Sequence, residues 1–234
     1  MGGGVTDVAA VEALLQRLYL GDGAPRNEER KKAREVADLL TLVARLQPQP
    51  APRGKARLLV DCAAGHGYVG LCAARLLGWR RVVAIERDPR RAARVRSAAA
   101  GLDVQLEVRD ADLAEGVPPE ADVVVALHAC GAATDAVLDG ATRARARWIV
   151  CAPCCYGEAI PGYAEALAEG ARYGDAMLAA RHAALCVDAQ RLARLRAAGY
   201  EASLRAFTAP TVTPHHVAFV ARRGGHAQAP RSSA

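Results

Sequence analysis

The sequence predicts an α/β fold: a mostly parallel seven-stranded sheet with helices on both faces and a helical addition at its amino end. Three observations predict it. Short apolar runs at residues 56–61, 81–86, 104–108, 122–127 and 148–152 alternate with helix-length segments. Near-continuous apolar runs of this kind are what strands covered on both faces look like. Two more strand patterns, at 201–207 and 216–222, follow a helical segment at 175–198 and close the sheet as a hairpin. Finally, 234 residues with 52% hydrophobic content suffice for one sizeable domain without disulfides or a structural metal.

Taken in order, Asp7 can cap a first helix that sets Val8, Val11, Leu15 and Leu18 on one face. Gly21-Asp22-Gly23-Ala24-Pro25 breaks it. A second helix places Val36, Leu39, Leu40, Val43 and Leu46 at helical spacing, with charges opposite. The prolines of 47–52 cannot continue a helix and read as a linker. The chain therefore divides into a helical extension and linker (1–52), a strand–helix domain (53–223) and a Gly/Ala/Pro/Ser tail (224–234) expected to be disordered. No internal repeat is visible.

Composition narrows the function classes. Lysine occurs only at Lys31, Lys32 and Lys55, so arginine carries almost all of the positive charge, and the formal net charge is +6. A basic arginine-rich chain is compatible with an anionic partner such as RNA, because guanidinium groups bind phosphate in bidentate fashion. Interspersed acidic residues allow the plainer reading of solvated helix faces. No apolar run is long enough to cross a bilayer, so no membrane partner is expected. Met1-Gly2-Gly3-Gly4 leads into an amphipathic stretch rather than an apolar signal core, and the seven cysteines are read as reduced thiols of a cytoplasmic protein. Oligomeric state is left open.

The segment from Val60 to Gly70 ends the first strand and opens a helix. Its small residues Ala63, Gly65 and Gly67 let backbone approach a ligand closely, and the helix N-terminus offers free N–H groups. Glu86 ends the second strand, where a carboxylate can accept both hydroxyls of a ribose. Asp110 and Asp112 follow the third, within reach of an adenine amino group. Gly65-x-Gly67-x-x-Gly70 formally matches a dinucleotide fingerprint. Asp61, however, would repel a pyrophosphate and suits the ammonium of a methionine moiety. S-adenosylmethionine is therefore the expected cofactor, with NAD as the competing reading.

After the fourth strand comes His128-Ala129-Cys130-Gly131-Ala132-Ala133-Thr134-Asp135, and after the fifth Cys151-Ala152-Pro153-Cys154-Cys155-Tyr156. These paired motifs resemble an HxCGxATD…CC family of class I, Rossmann-like methyltransferases that includes eukaryotic tRNA 2′-O-methyltransferases acting on the acceptor stem. The resemblance runs over about residues 31–163. It implies a cofactor site at Asp61, Gly65, Gly67 and Glu86, and a transfer centre around His128, Cys130, Asp135, Cys154 and Cys155. Tyr156 stands where the tRNA enzymes have a histidine, and their N-terminal zinc-finger motifs have no counterpart before Lys31.

For a ribose hydroxyl, His128 or Asp135 could orient or deprotonate the acceptor, with His128 favoured because imidazole titrates near working pH. His128 also borders the expected cofactor pocket. Methylation of a pyrimidine carbon would instead require a thiolate, for which Cys154 is the candidate. Cys151 and Cys154 have CxxC spacing beside Cys155, and His182 and Cys186 lie one helical turn apart. Packing is the favoured reading of both and no bound metal is expected, with zinc left open as an alternative for the cysteine cluster. His215 and His216 read as hairpin polarity. RNA is the expected acceptor; a protein or small-molecule acceptor, or a non-catalytic scaffold, are the alternatives.

Overall fold

The computed structural model describes residues 6–20, 24–46, 56–119 and 121–224. The linker expected at 47–52 and the tail beyond Gly224 lie outside the described residues. Seven strands form one sheet: β1 Leu58–Cys62, β2 Arg81–Glu86, β3 Leu106–Asp110, β4 Val123–Ala129, β5 Trp148–Pro153, β6 Tyr200–Ala206 and β7 Val217–Arg223. Their order is β3-β2-β1-β4-β5-β7-β6. The first five are parallel, and β7 runs antiparallel to both neighbours. The chain builds outward from β1 to β3, then returns to place β4 on the other side of β1. That reversal opens a crevice at the carboxyl ends of β1 and β4, where open α/β sheets bind ligands.

One face is covered by α1 Val8–Leu15, α2 Asn27–Leu46, α3 Tyr68–Leu77 and α4 Pro89–Leu102; the other by α5 Leu113–Gly116, α6 Ala132–Arg143 and α8 Ala176–Ala197. A further helix, α7 Tyr163–Gly170, packs on α8. The third strand starts two residues later than the apolar run suggests. Asp103 adopts a left-handed φ of 53° and ends α4, and the Val104 N–H closes that cap on the Ala99 carbonyl.

The amino-terminal helices are part of the main core. Asp7 caps α1 by accepting the Ala9 N–H at 2.9 Å, and the Thr6 N–H donates to the Thr41 hydroxyl at 2.8 Å, tying α1 to α2. Val36, Leu39, Leu40 and Val43 are fully buried in the same cluster as Leu59, Val123 and Val125 of the sheet. Each such side chain stabilises the fold by about 1.5–3 kcal/mol. The first helix does not continue as α through Leu18. Its last turn, Gln16–Leu20, widens into a π-helix, which sends the Tyr19 hydroxyl to the backbone carbonyl of His66.

Candidate active site

The residues expected on the cofactor meet at the carboxyl edge of β1, β2 and β3. Asp61 is 2% exposed, and its Oδ2 accepts the Gly70 N–H at 2.8 Å. The N-cap position of α3 is Gly67, which has no side chain to offer, so the strand residue caps the helix in its place. Burial pushes the Asp61 carboxyl up to about 7 against the pull of the Gly70 N–H, and the nearby Glu86 charge adds to the rise.

Between Asp61 and α3 the backbone turns through three left-handed residues: Ala63 (φ 52°), Gly65 (60°) and Gly67 (72°). A methyl group on Gly67 would meet Val95 Cγ1 at 2.7 Å, so this position needs glycine for space as well as for φ. A methyl on Gly65 would meet nothing closer than the Ala63 carbonyl at 3.9 Å, leaving open space beside the loop. Small size is therefore not the whole requirement at Ala63. Its left-handed backbone costs about 1 kcal/mol that glycine would not pay.

Glu86 secures this loop from β2. Its Oε2 accepts the Gly65 N–H at 2.7 Å and its Oε1 the Asp88 N–H at 2.9 Å. Each oxygen keeps a second lone pair for a ligand hydroxyl. The β2–β3 register sets Asp110 beside Glu86; Asp110 and Asp112 are both exposed on the same edge. Tyr19, His66 and Tyr68 form an aromatic group next to the loop, with the two latter rings stacked 5.3 Å apart. Open space at Gly65, a carboxylate with free lone pairs and a buried acidic group at the loop fit S-adenosylmethionine. Glu86 would hold its ribose, Asp61 and the glycine loop its methionine part, and the Asp110/Asp112 side its adenine.

The second half of the site lies at the end of β4. The β4–β5 register shifts between Leu127 and Ala129, and the residue left over is His128, in the left-handed region at φ 63°. Such a bulge re-aims a side chain out of the strand. The His128 imidazole reaches α2, where its Nε2 lies 2.9 Å from Oε2 of Glu35. Glu35 is 5% exposed and also accepts from the Lys32 ammonium. Burial alone would raise the Glu35 carboxyl, but the bonds from His128 and Lys32 outweigh it and hold it down at about 2. His215, from the segment before β7, presents its ring edge-on to His128 at 6.1 Å; burial and then the His128 charge lower its pKa.

Sequence reasoning missed Glu35, Lys32 and His215. Glu35 corrects the expectation that the charges of α2 all face away from the core. The signal was present: Glu35 lies four and eight residues before Leu39 and Val43, in register with the buried stripe.

The two cysteine motifs converge. Cys154 and Cys155 Sγ atoms are 3.5 Å apart, and Cys155 Sγ is 3.5 Å from Cys130 Sγ. Cys154 is buried, while Cys130 and Cys155 are exposed. Burial pushes the Cys154 and Cys130 thiols up, and for Cys154 its two thiol neighbours add to the rise. The loops that carry them are joined by a Gly131 N–H to Cys155 carbonyl bond of 3.2 Å. Behind them, Arg191 of α8 is 1% exposed. It donates to Asp135 at 2.7 Å and to the Gly131 carbonyl at 3.3 Å, and lies over the Tyr156 ring. Arg194 also binds Asp135, so both carboxylate oxygens face guanidinium groups. The Tyr156 hydroxyl bonds Asp188 at 2.8 Å.

Other sequence candidates stay apart from this cluster. Cys151 is fully buried in β5, so CxxC spacing does not bring it to Cys154 as a ligand pair. His182 and Cys186 contact each other at 3.5 Å on α8, with Tyr173 and Glu169 nearby. A groove of about 330 Å³, lined by Leu58, Arg81, Leu106 and Arg109 among others, lies at the amino ends of β1–β3, the edge opposite the site. No helix among the described residues is long and apolar enough to cross a membrane.

Residues 31–160, more than half of the chain, match a family model described as a methyltransferase domain. A glutathione S-transferase C-terminal domain-containing protein of Xenopus laevis is 29% identical over 157 residues, covering 67% of this chain and 24% of that protein. Its Mus musculus counterpart is 34% identical over 130 residues, covering 54% and 19%. The chain thus spans a quarter or less of the length of these curated relatives. In fold it is similar to magnesium protoporphyrin IX methyltransferase from Synechocystis PCC 6803 with bound SAH (TM-score 0.55, 15% identity, 91% of this chain and 93% of that one). It is also similar to Thermoplasma acidophilum 1320 (TM-score 0.52, 18% identity, 95% and 99%). With the sheet order, the glycine loop and the Glu86 carboxylate already in place, the family match leads to one conclusion: the chain belongs to the methyltransferase-domain family.

Proposed function

We propose that this chain is an S-adenosylmethionine-dependent methyltransferase that acts on a hydroxyl of an RNA acceptor, with His128 as the general base and Glu35 as the group that orients it. The observation that carries the reading is the bulged, left-handed His128 held against Glu35 at 2.9 Å, at the carboxyl edge of β4. Strained backbone of this kind persists only where its surroundings over-determine it, and it clusters at active sites. When bound, S-adenosylmethionine supplies an electrophilic methyl group on a sulfonium.

The side chains supply the proton chemistry. Glu35, kept ionised, accepts the Nε2–H of His128, and when Nδ1 is unprotonated its lone pair can take the proton of an acceptor hydroxyl. The Glu35 charge then stabilises the imidazolium that forms. Lys32, bonded to the same carboxylate, limits how far that charge can move.

An anionic acceptor is supported by the rim. Arg87, Arg90, Arg91 and Arg94 are exposed along the β2–α4 turn beside the glycine loop. Arg91 and Arg94 are close enough to reinforce the lowering of the His66 pKa that burial begins. Four guanidinium groups on one rim can line up with successive phosphates.

The test is transfer of labelled methyl from S-adenosylmethionine to total RNA by the wild type, by His128→Asn and by an Arg90→Glu/Arg91→Glu/Arg94→Glu variant. Asparagine tolerates the left-handed backbone and removes the base. We expect His128→Asn to lower turnover by about 10²–10⁴-fold with S-adenosylhomocysteine affinity intact. We expect the triple variant to weaken RNA binding and flatten its salt dependence. Label entering protein or small molecules but never RNA would reject the acceptor, and full activity of His128→Asn would reject the base.

A further inference from the structure

We propose that Cys130, Cys154 and Cys155 form a three-thiolate site for a zinc ion, with the fourth tetrahedral position left to a water molecule or another small donor from solvent. The inference rests on the geometry of the thiols and is independent of the acceptor and of the base.

Three sulfurs from two loops lie within 4.8 Å of one another, two of their separations being 3.5 Å. Thiolates about 2.3 Å from a tetrahedral zinc stand about 3.8 Å apart, so two edges of the triangle already lie within about 0.3 Å of one face of such a tetrahedron and the third is held within 4.8 Å. An ion above that face binds all three sulfurs with little rearrangement. A disulfide would use two of them and leave the third unpaired. Three sulfur donors without an oxygen or nitrogen select a thiophilic cation over magnesium or calcium. Each thiol releases its proton to solvent as the ion binds, and the bound charge reverses the cost of holding thiolates this close together.

The surroundings hold the triangle ready. The Gly131 N–H to Cys155 carbonyl bond joins the two loops, and Arg191 grips the Gly131 carbonyl and Asp135 on one side. Tyr156, the residue after Cys155, is anchored on Asp188. Cys154 is buried, whereas Cys130 and Cys155 are exposed, so an ion there reaches solvent on one side. Three protein ligands and one open position is the arrangement of zinc sites that engage a ligand rather than only brace a fold. The CxxC spacing of Cys151 and Cys154 is not the relevant pair: Cys151 is sealed inside β5, and the β4 loop supplies Cys130 instead.

The experiment takes the full chain, reduced and stripped of metal by a chelator, and titrates it anaerobically with cobalt(II), then with zinc(II). We expect one cobalt per chain, with thiolate-to-cobalt charge-transfer absorption and the strong visible bands of a tetrahedral ion, displaced by zinc. Cys130→Ser and Cys154→Ser should each weaken uptake on the order of 100-fold or more, while Cys186→Ser leaves it unchanged. Alkylation of the wild type supplies a readout that needs no variant. Zinc should protect Cys130 and Cys155, with Cys186 modified at the same rate with or without the ion. Calorimetric binding of S-adenosylhomocysteine to the same sample reports the cofactor site separately. A sample that binds that ligand but takes up no cobalt, uptake that survives both Cys130→Ser and Cys154→Ser, or alkylation indifferent to zinc would each overturn the site.

Discussion

A carboxyl group with 2% of its surface exposed and one helix N–H to satisfy resists ionisation, and Asp61 shows what that does to a cofactor loop. Its unfolded pKa lies near 3.9, and in the fold it is raised to about 7. The stability this group contributes is therefore full below about pH 4 and is lost as pH rises through 7. The difference in unfolding free energy between wild type and Asp61→Asn should shift by roughly 2–3 kcal/mol toward the variant between pH 5 and pH 8, followed by urea denaturation. Parallel profiles would mean that Asp61 is solvated in the folded protein. The ligand-free chain thus gives up stability to keep an acidic group where a cationic ammonium can meet it. Ala63 and His128 do the same with their left-handed backbone.

Among the secondary-structure elements, β4, α2 and α8 do the positioning. A bulge near the end of β4 swings His128 toward α2, and α2 answers with Glu35 from a face otherwise made of Val36, Leu39 and Leu40. On the other side of the sheet, α8 sends Arg191 to the first turn of α6 and to the loop before it. Removing one partner from a buried ionic network leaves charges without compensation. Arg191→Leu should therefore cost about 3 kcal/mol of unfolding free energy, measured by denaturant titration, because Asp188 stays buried without it and half-buried Asp135 keeps only Arg194. A loss below 1 kcal/mol would show that water replaces the guanidinium. Tyr156 belongs to the same network, through its hydroxyl on Asp188 and its ring beneath Arg191.

For the molecule as a whole, ligand binding and stability are linked. At one hundred times its dissociation constant, S-adenosylhomocysteine should raise the unfolding free energy by about 2.7 kcal/mol. Glu86→Ala should abolish most of that gain at the same ligand concentration. It should also destabilise the free protein by about 1–3 kcal/mol, since the Gly65 and Asp88 N–H groups lose their acceptor. Thermal unfolding with and without ligand checks both; an undiminished ligand shift in Glu86→Ala would remove Glu86 from the cofactor site. Both halves of the site sit at one sheet edge because the strand order reverses between β1 and β4, so any ligand there touches residues far apart in sequence.

The fold was largely legible in the sequence. Apolar runs of strand length alternating with amphipathic segments are a local signal, and burial of β1, β2, β4 and β5 on both faces follows from it. So is the tight turn after β1, because Asp61, Ala63, Gly65 and Gly67 lie within one turn and Glu86 one strand away. The Glu35–His128–His215 contact was not legible, since it joins residues 93 positions apart, and then a third, by packing alone. The resemblance did place Cys130 with Cys154 and Cys155, and the parallel pairing of β4 with β5 brings their sulfurs together; spacing alone pointed to Cys151 instead. Sequence by itself determined which segments are strands and which cofactor the first turn can cradle, because those depend on periodicity and local backbone freedom. Only the tertiary structure decided that Glu35 and His215 meet His128 and how close the three sulfurs lie, because side-chain partnerships across a sheet edge are set by register, bulges and helix packing.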